Sequence, residues 1–282
     1  MSNYKDGSPG GHSLIFTKGF QAVAKTLKII DAGPIQKRAL YDRVRPNDGP
    51  AQRAAKHRSS TEVQRRMNFK NSAEELELQL AINFRFPGAA RVCVFTFDDP
   101  HMPKSRAEVE RRFRYFRNKY NAACEADGLP RPVMFWSIEV LTSAGGRWHI
   151  HAIITAYGDD DARIRRCWPY GSDVEIDRLR VDRVKNYASL ARYMTKEARE
   201  CQDYTSRPGL RSWSHTQNAK KPEVETVTVP DDFELTPPPG STVLLDERRS
   251  TEYAAWHVLK TLAGGAGKNN RPPSKRTRKR KT

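Results

Sequence analysis

Two apolar, β-branched runs, VMFWSIEVL (133–141) and WHIHAIITA (148–156), flank a short gap carrying Ser143-Ala144-Gly145-Gly146. A glycine pair in so short a gap is a hairpin signal, because glycine adopts the positive φ values that tight strand connections need. The surrounding sequence extends the pattern. Residues 91–97 (RVCVFTF) read as a strand ended by Asp98-Asp99-Pro100, and 174–181 as another. Ser105 and Glu108 have capping-box spacing, in which side chains satisfy the first free N–H groups of a helix. Behind them Val109, Phe113, Phe116, Tyr120 and Ala123 form an apolar stripe, with Arg106, Arg111, Arg112, Arg114, Arg117 and Lys119 over the remainder. A short helix (160–167) precedes the turn Trp168-Pro169-Tyr170-Gly171, a helix is expected over 183–199, and a last short strand near 210–214. The order β-α-β-β-α-β-α-β predicts an α+β fold, one mainly antiparallel sheet with helices packed on it.

The flanks read differently. Residues 1 to about 50 carry Gly, Pro and scattered charge, and only short helical pieces are expected there. Thr61-x-x-Gln64 and Ser72-x-x-Glu75 both have capping-box spacing, and Leu76, Leu80 and Phe84 recur at helical intervals behind the second. With Arg53, Lys56, Arg58, Arg65 and Arg66, residues 1–90 read as a basic helical region that either grips a polyanion or packs on the main domain at 91–222. From about residue 223 the chain turns acidic and Pro-rich (Pro237-Pro238-Pro239), with a short helix expected at 246–262. Residues 268–282 hold eight Lys or Arg and no acid, the composition of a disordered basic tail.

Lys and Arg outnumber Asp and Glu by 50 to 33, a net charge of +17. Such a surplus favours a nucleic-acid partner, because each cation set against a phosphate releases condensed counterions. A membrane partner is not expected. The longest apolar runs are strand-sized, and no amphipathic basic helix has a broad apolar face. The N-terminus lacks the charged-then-apolar layout of a secretion signal. Cys93, Cys124, Cys167 and Cys201 are far apart with no CxxC pair, which argues against a zinc ribbon or disulfide framework and fits free thiols in a reducing cytoplasm.

His149 and His151 are one residue apart in a strand, so both imidazoles project from one face. A single strand His is ordinarily a satisfied core residue. Two at this spacing in an apolar strand place two polar rings side by side, and ligation of one divalent cation explains them better. Glu139 lies across the expected hairpin and is the natural third ligand if the register pairs it with residue 149 or 151. Two imidazoles and an oxygen ligand suit Mg²⁺ or Mn²⁺, and also Zn²⁺. Open positions on such an ion could polarise a phosphodiester.

The segment 184–198 carries a stripe of Val184, Tyr187, Ala191, Met194 and Ala198. At ~100° per residue, Tyr187 falls inside that stripe, whereas Tyr193 falls nearly opposite Val184 with Lys196 along the same side. Tyr193 is therefore the candidate nucleophile and Tyr187 the weaker one. A phenol has an ordinary pKa of ~10 and needs nearby positive charge to attack at neutral pH. A bound cation and Lys196 would supply it.

Three features in order, the strand ending in FTF (95–97), the His-Ile-His strand, and Leu190-x-x-Tyr193-x-x-Lys196, resemble the three motifs of HUH endonucleases, in particular rolling-circle replication initiators of filamentous-phage and plasmid type. NF at 83–84, WPYG at 168–171, YMTKE at 193–197 and RSWSHTQNAKKPEV at 211–224 extend the likeness over roughly residues 60–224. The resemblance implies an RRM-like antiparallel sheet and a metal held by His149, His151 and Glu139. It also implies attack by Tyr193 on single-stranded or hairpin origin DNA, assisted by Lys196, to leave a 5′-phosphotyrosine and a free 3′-OH. The DNA-contacting candidates are Arg147 beside the His pair, Arg192 beside Tyr193, Arg112 in the first long helix, and Lys220 and Lys221. Gly264-Gly265-Ala266-Gly267-Lys268 lacks the spacing and the Ser/Thr of a phosphate loop, so unwinding is expected to fall to a host helicase and extension to a host DNA polymerase. A relaxase or transposase of the same superfamily would use the same residues. A catalytically silent DNA-binding repressor would have no use for the intact tyrosine.

Overall fold

The computed structural model describes residues 25–42, 62–84, 88–141, 146–158, 160–184, 186–196, 212–250 and 255–264. In chain order these form β1 (Lys25–Ala32), β2 (Ile35–Asp42), α1 (Glu62–Asn83), β3 (Ala90–Phe95), α2 (Arg106–Ala126), β4 (Met134–Leu141), β5 (Arg147–Thr155), α3 (Asp161–Cys167), β6 (Val174–Arg178), α4 (Ala188–Met194), β7 (Ser214–His215), β8 (Glu223–Val229), β9 (Thr242–Ser250) and β10 (Ala255–Leu262). The central elements follow the expected order and build an antiparallel sheet in the order β6-β3-β5-β4-β7. This is the RRM-like α+β arrangement, with β7 added at one edge.

Strand alternation sends two residue sets to opposite faces. Cys93, Phe95, Met134, Ile138, Ile150, Ala152 and Ile154 pack beneath Val109, Phe113, Phe116, Tyr120 and Cys124 of α2 and Ile164 and Cys167 of α3. The Phe95 ring stands 4.6 Å from Phe116 and 4.9 Å from Trp168, in the tilted contacts that aromatic quadrupoles favour. Ser105 caps α2 by accepting from the Glu108 N–H at 3.3 Å. Trp168 Nε1 donates to the Thr96 carbonyl at 2.9 Å. A Cβ on Gly171 would lie 2.3 Å from that same carbonyl oxygen, so only glycine lets the WPYG turn close against the end of β3.

The other face carries Phe135 and Ile153 beneath Leu76 and Leu80 of α1, Phe84 just past its end, and Ala191 and Met194 of α4. The same apolar cluster continues into Ala32 and Ile35 of a second five-stranded antiparallel sheet, β8-β1-β2-β10-β9. Helix α1 therefore runs between two sheets, and residues 76–81 are buried all round. Of the two roles open to this basic segment, its C-terminal half packs. The outer face of the second sheet, at Leu27, Leu40 and Leu259, is covered by Phe233 and Leu235.

Several local expectations are corrected here. Of the short helical pieces expected before residue 50, those falling on 25–42 are instead the hairpin β1–β2, closed by a Gly33-Pro34 turn with Gly33 at φ 78°, and residues 1–24 and 43–50 lie outside the described residues. The short helix expected at 246–262 is replaced by strands β9 and β10. The run DERRS (246–250) has charges compatible with a helix surface, but its conformation is set by pairing, and β10 pairs with β2 more than 200 residues before it in sequence. Among the described residues of 183–199, the expected helix is confined to 188–194. The Asp182 carboxylate captures the N–H groups of Val184 and Asn186, both at 3.1 Å, and holds that stretch as a turn. Ser72 is not a cap, because α1 begins at residue 62 and runs through it. The expected hairpin gap at 142–145, Arg53, Lys56, Arg58, Glu197, Cys201 and the basic tail lie outside the described residues. Cys93, Cys124 and Cys167 are free and buried. Among the described residues no helix is long and apolar enough to cross a membrane.

Candidate active site

The register of the β4–β5 hairpin decides which side chains share the face that carries the histidines. It sets Glu139 directly opposite His149 and Ser137 opposite His151. Ile150 and Ala152 point into the α2 side, so the two histidines project towards the side occupied by α1 and α4. His151 and Glu139 are buried, at 5% and 7% exposure, and His149 is half-buried.

Glu139 is the hub of a charged cluster. His151 Nε2 lies 2.5 Å from its Oε2, and Lys196 Nζ lies 2.9 Å from its Oε1. Burial alone would raise the Glu139 carboxyl. Hydrogen bonds from His151 and Lys196, with their positive charge, outweigh burial and hold it at about 2 against an ordinary 4.5. Burial, and then the neighbouring His151, lower the His149 pKa, which favours the neutral ring that binds cations. His151 Nδ1 is buried and has no hydrogen-bond partner.

Helix α4 brings the tyrosine to this cluster. Ala191 and Met194 face the core, and Thr195 ends the helix by donating its hydroxyl to the Ala191 carbonyl at 2.8 Å. Tyr193 is left 44% exposed, with its ring 5.0 Å from that of His151, edge to face. Lys196 Nζ stands 4.3 Å from the Tyr193 ring centre, a cation–π contact, while also pairing with Glu139. Tyr187 is placed quite differently. It is buried, donates its hydroxyl to the Phe84 carbonyl at 2.6 Å, and burial pushes its pKa up to about 12.

The five residues Glu139, His149, His151, Tyr193 and Lys196 thus come together. The basic candidates do so only in part. Arg147 begins β5 at the same rim, where it bonds Asp99 at 2.6 Å and the Phe97 carbonyl at 2.9 Å. Arg192 is an exposed neighbour of Tyr193 on α4. Arg112 is on α2, across the sheet, bonded to Glu108 at 2.6 Å and stacked 5.1 Å from the Tyr170 ring centre. Lys220 and Lys221 are exposed at the Met134 end of β4, the end away from Glu139. Asn83 fixes that loop with 2.9 Å bonds to both backbone groups of Lys220. Ser137, unassigned by the sequence, belongs to the same face by strand alternation from Glu139.

The donor set suits a divalent cation, with two imidazoles and a carboxylate on one face and an unpartnered buried ring nitrogen among them. In this structure His151 and Glu139 bond each other, and among the described residues no three His, Cys, Asp or Glu side chains close on one ion-sized point.

One pH dependence follows from Glu139. A carboxyl held down in the folded state contributes stability above its unfolded value near 4.5, lost as pH falls through that value towards about 2. In EDTA, Glu139→Gln is therefore expected to be less stable than wild type at pH 7 by on the order of 3 kcal/mol. The gap should narrow steadily below pH ~4.5, as read by paired thermal melts. A gap that stays constant with pH would refute this account of the cluster.

No protein-family model, curated protein or solved structure matches this chain.

Proposed function

We propose that the protein nicks and rejoins single-stranded DNA through a 5′-phosphotyrosine on Tyr193, as an initiator of rolling-circle replication of the HUH type. The observation that carries the reading is the placement of an exposed tyrosine ring 5.0 Å from one histidine of a paired-histidine strand, beneath the ammonium of Lys196. A surface tyrosine with no chemical task has no need of this company.

In the reaction, the Tyr193 oxygen forms a bond to the scissile phosphorus and the phenol releases its proton to solvent. The phosphorus–O3′ bond breaks, and the departing 3′ oxygen takes up a proton. Rejoining is the reverse displacement by a 3′-OH, and the phosphotyrosine conserves the bond energy, so no nucleotide hydrolysis is required. Lys196 places a positive charge over the ring where phenolate character develops. Glu139 fixes both Lys196 and His151 by accepting from each. His149, His151 and Glu139 would hold Mg²⁺ or Mn²⁺, which when bound supplies Lewis-acid polarisation of the phosphate. The 3′-OH would prime a host polymerase behind a host helicase in the bacterial cytoplasm.

The test is a denaturing gel after incubation with single-stranded oligonucleotides spanning a hairpin-forming origin, with Mn²⁺. A covalent protein–DNA adduct is expected, and EDTA should abolish it. A band shift on a native gel with no adduct on the denaturing gel would identify a DNA-binding repressor and reject the proposal.

A further inference from the structure

At the β4 edge of the sheet, beside α2, lies a cavity of about 180 Å³. That volume exceeds the ~30 Å³ share of a single water several times over, so a phosphate group fits. Arg106, Arg114 and Arg117 reach it from one stripe of α2, and Trp136, Ser137 and Ser214 form the opposing wall. The Arg117 guanidinium stacks 4.3 Å from the Trp136 ring centre, and its Nε is buried with no hydrogen-bond partner. A guanidinium held by its face keeps its donor edge for a planar or tetrahedral oxyanion. Burial, then repulsion from Arg114 and Arg131, makes the Arg117 cation costly to hold. Glu110, the acid of the lining, pairs with Arg106 at 3.2 Å.

The cavity is also connected to the active face. Strand β7 pairs with β4 only at Phe135 and Trp136. Along β4 the next residues run Ser137, Ile138, Glu139, so the cavity wall at Trp136 and the charged cluster share one strand. A single-stranded chain held at Glu139 and Tyr193 therefore has the arginines within about 10 Å along the strand, at roughly 3.3 Å per residue.

We propose that this cavity seats a backbone phosphate of the single-stranded DNA substrate, between Arg117 and Arg114, away from the scissile bond. The proposal rests on the nicking function for its substrate. A chain with a net charge of +17 and a cavity on the same strand as the Glu139 cluster fits a polymeric anion better than a free one.

The experiment uses the full chain and a short fluorescein-labelled oligothymidylate in EDTA, with anisotropy read over a salt series. Arg117→Met keeps an aliphatic stem on Trp136, and Arg114→Gln alters only an exposed residue at the mouth. Each is expected to weaken binding by roughly 5- to 10-fold and to reduce the slope of log affinity against log salt by about 0.7, the value for one lost single-strand phosphate contact. Melting curves check folding, and if Arg117→Met is unfolded, Arg114→Gln decides. Unchanged affinity and slope in the folded variants overturn the proposal. So does tryptophan quenching by inorganic phosphate that is lost in Arg117→Met while oligonucleotide affinity is untouched, since this marks a free-anion site. Variants that bind normally while wild type forms the adduct reject the cavity alone. A wild type that binds no oligonucleotide rejects the nicking reading as well.

Discussion

Tyr193→Phe is expected to bind single-stranded DNA as wild type does and to form no covalent adduct, a loss of at least about 10³-fold in cleavage. The substitution removes one oxygen. The ring that contacts His151 and underlies Lys196 stays in place, and Tyr193 is exposed enough that its hydroxyl contributes little to folding. Tyr187→Phe should give the opposite pattern. Its hydroxyl is spent on the Phe84 carbonyl within the core, so removing it should cost about 1 kcal/mol of stability and leave the adduct. A burial-raised pKa of about 12 further disfavours Tyr187 as a nucleophile near neutrality. Thermal melts and denaturing gels on the same two proteins separate the roles. An adduct that survives in Tyr193→Phe and disappears in Tyr187→Phe would reverse the assignment.

The second large effect concerns the junction of the two sheets. Lys37 of β2 and Lys260 of β10 are directly opposite each other, an unfavourable like-charge pair in isolation. Helix α1 answers with Glu74 and Glu77, one turn apart, bonded to Lys37 at 2.6 Å and to Lys260 at 2.8 Å. The Lys260–Glu77 pair is buried, at 8% and 2% exposure. Lys260→Met would leave the Glu77 carboxylate, whose Oε1 already has no partner, unpaired between helix and sheet. A cost of about 3–5 kcal/mol is expected, visible as a fall in melting temperature on the order of 10 °C. Burial already raises the Glu77 pKa more than Lys260 lowers it. With Lys260 gone, the folded state should take up a proton more readily than the unfolded state, so the variant should regain stability as pH falls from 7 towards 5. Glu77→Met combined with Lys260→Met should restore wild-type stability or exceed it, because neither charge then needs solvation. A double variant as unstable as the single one would show that the pair has no such role.

The central sheet was legible from local pattern because its signals are local. The Ser105 cap, the α2 stripe and the hairpin all lie within a few residues of the elements they specify, and each is observed. The second sheet was not legible. β1 pairs with β8, and β2 with β10, across roughly 200 residues, and a strand with mixed polarity is stable only beside its partner. Arg112 was offered to DNA on charge alone, and the structure engages it with Glu108 and Tyr170.

For the candidate site the division is sharper. That His149 and His151 share a face follows from their spacing alone, since strand geometry alternates side chains whatever surrounds them. The sequence also separated Tyr187 from Tyr193, because burial follows the apolar stripe of a helix. Three features came from the assembled fold: the register that sets Glu139 against His149, the early end of α4 at Met194, and the meeting of Tyr193 and Lys196 with a strand some 40 residues before them. Those depend on how a helix seats on a sheet, a matter of long-range packing that no local spacing encodes.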